Sequence, residues 1–154
     1  MNTTIFPGSR LLGTAVAALF LLGAIPVARA GELKLEAQLI WGTNDKMSPN
    51  PKHKPVEPDI EKRLKGLPFK WSNYFEVNRK RFKLAPGESR RERMSEECEI
   101  IVKRVGNDQL EVTLLGKGTQ VGKITQALPK KELLLLGGNA PNFTAWFVAL
   151  RQVE

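Results

Sequence analysis

The chain has 154 residues, 42% of them hydrophobic, and its 24 lysines and arginines outnumber its 16 acids to give a net charge of +8. That length fits one domain behind a short leader, and the basic balance favours acidic partners without fixing a fold. One cysteine, Cys98, excludes an internal disulfide, and one histidine, His53, excludes a multi-histidine metal cage.

Residues 1–30 read as a cleavable secretory signal. Arg10 precedes an apolar run, Leu11–Ile25, which is short for a permanent membrane span. Pro26 breaks it, and Ala28 and Ala30 offer the small residues that a signal peptidase accepts. The expected mature domain is 31–154, in the periplasm or secreted. It keeps its basic character, because only Arg10 and Arg29 leave with the leader. Export argues against nucleic acid as a partner, and no later stretch is long and apolar enough for a membrane helix.

Leu33, Leu35, Ala37, Leu39 and Trp41 alternate with Lys34, Glu36, Gln38 and Ile40, which predicts a strand with one buried and one mostly polar face. Residues 43–58 form a stiff Pro/Lys-rich loop carrying Pro49, Pro51, Pro55 and Pro58. A short helix follows, opened by Pro58, with Ile60, Leu64 and Leu67 on one face and a Glu61–Lys65 pair. Tyr74–Leu84 is a long strand whose parity shifts between Phe75/Val77 and Phe82/Leu84, so a bulge is expected near Arg79-Lys80-Arg81.

Arg90–Met94 suits a charged edge strand. Cys98–Val105, Leu110–Leu114 and Gln120–Leu128 are strands separated by Gly106-Asn107-Asp108 and Gly116-Lys117-Gly118. The apolar density of Leu133–Leu136 and Phe143–Leu150 predicts central strands buried on both faces, with Phe143 beginning the last. Cys98, alternating with Ile100 and Val102, reads as a small buried hydrophobe. The whole is an all-β chain: a small antiparallel β-sandwich of about eight strands with one short helix after the first strand.

No hydrolase, nucleotide or zinc motif appears, and no catalytic residue, metal ligand or cofactor is assigned. The candidate ligand surface joins Asn44 and Asp45 of the Pro/Lys loop to Trp71, Tyr74, Arg79, Lys80 and Arg81, where aromatic faces beside cations suit a sugar ring or an anionic glycan.

The strings Leu39-Ile40-Trp41-Gly42-Thr43-Asn44-Asp45, Lys65-Gly66-Leu67-Pro68-Phe69-Lys70-Trp71 and Leu136-Gly137-Gly138-Asn139-Ala140-Pro141-Asn142, with Thr144-Ala145-Trp146-Phe147-Val148, resemble a group of short exported bacterial proteins with no assigned function. The resemblance implies bacterial origin and export, and carries no ligand or site residue with it. The expected role is a non-enzymatic binding or interaction module of the bacterial envelope, taking an anionic envelope component or another envelope protein. The competing readings are a small hydrolase using Asp45 or Glu57, and a structural subunit of an envelope complex.

Overall fold

The computed structural model describes residues 31–140 and 142–154. The expected leader lies outside the described residues. Strand β1 (Leu33–Thr43) leads through β2 (Lys54–Pro55) to helix α1 (Pro58–Lys65). Then come β3 (Asn73–Leu84), β4 (Ser89–Arg93), β5 (Cys98–Arg104), β6 (Gln109–Gly116), β7 (Thr119–Ala127), β8 (Leu134–Asn139) and β9 (Ala145–Gln152).

These strands make two antiparallel sheets, ordered β2-β3-β1-β9-β8 and β4-β5-β6-β7. The all-β sandwich with one helix after the first strand is therefore what the chain forms, with nine strands rather than eight. The extra one is β2, a two-residue piece inside the Pro/Lys segment that pairs Lys54 with Glu76 and Pro55 with Phe75. It lies at the sheet edge, where a proline's missing donor spoils no ladder.

The second sheet is a meander built by its turns. Lys117 and Gly118 both have positive φ, the pairing that a two-residue hairpin loop needs to match strand twist. Leu35, Ala37 and Leu39 of β1 face Ile100 and Val102 of β5 and Val112 of β6 across the intersheet core. Cys98 is buried in the same core, as its alternation predicts. Burial of each such leucine or valine stabilises the fold by about 1.5–3 kcal/mol.

A third layer sits outside the first sheet. Ile60 and Leu64 of α1 pack on Ile40, Tyr74, Phe147 and Ala149. The Glu61–Lys65 pair forms at 2.6 Å, while Leu67 lies beyond the helix and is exposed. This layer corrects the expectation for β1. Past the exposed Lys34 its polar face does not meet water: Glu36 and Gln38 are buried beside the helix.

The same cover explains β8, which is an edge strand rather than a central one. Its two faces are both apolar because Leu134 and Leu136 join the intersheet core and Leu133 and Leu135 the outer one. Strand β9, between β1 and β8, is buried on both faces, as is the middle of β1.

The bulge in β3 lies earlier than expected. Leu39 pairs with Asn78 and Ile40 with Glu76, so Val77 is the extra residue. Phe143 does not begin the last strand. It and Asn142 have φ of 59° and 62°, and β9 starts at Ala145.

Candidate functional site

The expected surface residues separate into three environments. Asn44 and Asp45 fasten the end of β1 to the chain entering β3. The Asn44 carboxamide oxygen accepts from Ser72 N–H at 3.0 Å and Ser72 Oγ at 3.1 Å, and Asn73 Nδ2 donates to the Asp45 carbonyl at 2.9 Å. Trp71 and Tyr74 adjoin them. The Trp71 indole N–H donates to Phe143 O at 2.7 Å, and the buried Tyr74 hydroxyl donates to Trp71 O at 3.1 Å.

The basic run is split by the strand's pleat. Arg79 and Arg81, opposite Gln38 and Glu36, lie on the helix-covered face, whereas Lys80 is opposite Ala37 and turns toward Glu92 at 3.9 Å. The aromatics and the three cations thus do not share one surface.

Arg79 and Arg81 belong to a closed ionic cage. Glu36, with no exposed surface, accepts from Arg81 Nε at 2.7 Å, Arg151 Nη2 at 2.7 Å and Gln38 Nε2 at 3.0 Å. Arg79 grips Glu76 with two bonds of 2.7 and 3.0 Å. Its Nη2 also reaches Glu57 at 2.8 Å. Arg151 Nη2 meets Glu57 at 2.8 Å, and its Nη1 meets Asp59 at 3.3 Å. Burial alone pushes the Glu36 carboxyl up, but hydrogen bonds from Arg81, Gln38 and Arg151 outweigh it and hold the group at about 2. For Glu57 burial also acts upward, and Arg79 and Arg151 bring the net shift below the usual carboxylate range.

Every charge in the cage is met by an opposite one. It is a clamp that ties the start of α1 to β1, β3 and β9, closed at Glu36 and open to solvent at Arg81 and Asp59, whose side chains are 67% and 68% exposed. Gln38 Oε1 is the one buried side-chain polar atom among the described residues with no partner.

The opening of the molecule lies elsewhere. At the end of the sandwich where β1 finishes and β9 begins, the sheets part around a cleft of about 550 Å³. Trp41, Val77 and Trp146 give it an apolar wall on the first sheet, and Val121 and Cys98 on the second. His53, Ser95, Lys117 and Asn139 supply polar edges.

The backbone is cut to fit the Trp146 indole. A Cβ on Gly138 would stand 3.3 Å from its ring, and one on Gly116 3.5 Å away. Trp41 is tilted against His53, ring centroids 6.5 Å apart, and His53 Nδ1 is tied to Ser48 Oγ at 2.7 Å. Neither the Trp41 nor the Trp146 indole N–H has a hydrogen-bond partner among the described residues. Val121 is 52% exposed at the cleft rim. Burial, with a smaller push from Glu99, raises the Cys98 thiol to about 11.

A smaller pocket of about 320 Å³ lies between α1 and the end of β9, bordered by Arg63, Lys131 and Arg151. Among the described residues no three His, Cys, Asp or Glu side chains stand close enough to hold a metal ion. Nor is any helix among them long and apolar enough to cross a membrane.

Of the expected residues only the Asn44, Asp45, Trp71 and Tyr74 group lies at the cleft end, and none of the four lines the cleft. Trp41, Val77, Val121 and Trp146 escape sequence reasoning because each reads as an ordinary strand residue. The one signal was that all three tryptophans fall where a strand of the first sheet begins or ends. Comparison with protein-family models, with curated proteins and with solved structures yields no match.

Proposed function

We propose that the chain is an exported binding module of the bacterial envelope, a binder rather than an enzyme, whose cleft receives the flat or apolar part of a ligand. The observation that carries this reading is the cleft itself: an apolar hollow of about 550 Å³ with two indoles and a few polar groups at its edge. Concave, mainly apolar sites with sparse convergent polar groups are the usual form of small-ligand pockets. The two indole N–H groups add donors that a ligand acceptor can satisfy.

Two of the groups that could do chemistry are otherwise engaged. A thiol raised to about 11 is not a nucleophile at neutral pH. Glu57, the candidate acid of a hydrolase, is held as a carboxylate by two arginines. Export rests on the composition of residues 1–30.

Site-specific photo-cross-linking in living cells tests this reading. A cross-linker at Val121, on the rim, is expected to trap a discrete adduct. The same cross-linker at Val105, exposed at the opposite end, is expected to trap none. Equal labelling at the two positions would refute it.

A further inference from the structure

The end of the sandwich that holds the cleft also carries an unusual collection of exposed groups. Phe143 is 88% exposed and Met47 79%, the two most exposed large apolar side chains among the described residues. Phe143 is presented by consecutive left-handed residues, Asn142 and itself, a backbone that side-chain-bearing residues seldom adopt. Its carbonyl is anchored by Trp71, so the ring is held outward on a fixed support. Met47 follows two residues after Asp45, which Asn73 pins to the same support.

The segments that carry Met47 and the Trp71 anchor, 42–55 and 66–73, also carry Lys46, Lys52, Lys54 and Lys70, all exposed and none with an ion-pair partner among the described residues. Lys70 lies over the Trp71 ring at 5.8 Å. Asp45 is the one acid in segments 42–55 and 66–73. The acids Glu96 and Glu97 sit across the cleft on the β4–β5 connection, so the basic apron is one-sided. The opposite end differs: its connections set Glu88, Asp108 and Glu132 against Lys130 and Lys131, and carry no exposed aromatic ring among the described residues.

Projecting apolar side chains set among unpaired lysines, over a tryptophan-rich base, match the interface of a bilayer whose headgroups are acidic. We propose that this end of the molecule seats on an anionic phospholipid surface. Phe143 and Met47 enter the headgroup boundary, and Lys46, Lys52, Lys54 and Lys70 meet the phosphates. The first sheet's side of the cleft then faces the membrane and the Glu96–Glu97 side turns away. This docking goes beyond ligand binding in the cleft and does not depend on it.

Co-sedimentation of the purified protein with vesicles tests the proposal. One set is phosphatidylcholine alone and the other contains phosphatidylglycerol as well. Binding is expected only to the second, falling as salt rises. Each lysine changed to glutamine among the four should weaken partition about fivefold, and Phe143→Ser about tenfold or more. Since these side chains are exposed, the variants should keep wild-type thermal unfolding.

Lys130→Gln with Lys131→Gln, at the opposite end, should leave partition unchanged. So should Val121→Trp, which fills the cleft, so that loss of the cleft reading and loss of the docking reading are separable. Absence of binding to phosphatidylglycerol vesicles, or equal loss from the Lys130/Lys131 variant, would overturn the proposal.

Discussion

The ionic cage and the end cleft stand at two extremes of how a protein uses its unusual residues. In the cage, Glu36 has lost all contact with water and is met by Arg81, Arg151 and Gln38. In the cleft, Trp41 and Trp146 keep open ring surface and unanswered N–H groups. Buried charge that is fully paired marks how the fold is held together. Apolar surface and donors left open mark where something else can be added. The difference separates a region that the sequence singled out, through Arg79 and Arg81, from one that it passed over.

The strongest way to break that distinction is Glu36→Gln. It leaves Arg81 and Arg151 facing each other without their shared counter-charge, so denaturant unfolding should report a loss of about 3–5 kcal/mol at neutral pH. The pH dependence sharpens the test. The Glu36 carboxyl sits at about 2 in the folded protein against an ordinary 4.5, so its stabilisation is complete above the ordinary value and disappears as pH falls through 2. The gap between wild type and the variant should therefore close over that acid range. A gap that stays constant would show that the cage is not held by charge.

A smaller effect is expected where an expected ligand residue proves to be a fastener. Asn44→Ala removes two bonds to Ser72 at an exposed position and should cost about 1 kcal/mol in unfolding free energy. A fall in ligand capture with unchanged stability would return Asn44 to the binding surface.

Much of the fold was legible because local chemistry and final structure agree. The alternation in Leu33–Trp41 and in Cys98–Arg104, the turn at Gly116-Lys117-Gly118, and the Pro58 start with the Gly66 stop of α1 each act within a few residues. What was hidden depends on partners distant in the chain. Glu36 and Gln38 looked solvated because nothing near them announces that α1 will cover β1, or that Arg151 will arrive on β9. Leu133–Leu136 looked central because an edge strand with a helix on its outer face is apolar on both sides. The cleft was invisible for the same reason: Trp41 and Trp146 meet only when β1 pairs with β9. The residues from Asn44 to Arg81 are divided by the pleat, which sends Lys80 to one face and its two neighbours to the other.

The central claim is that the end cleft is a binding site independent of the fold's stability. Titration with the apolar dye anilinonaphthalene sulfonate, read by energy transfer from the cleft tryptophans, addresses it directly. Wild type should show one saturable site, and Val121→Trp should weaken it about tenfold or more while changing unfolding free energy by less than about 0.5 kcal/mol. Equal binding by the two proteins, or no saturable binding by the wild type, would contradict the account.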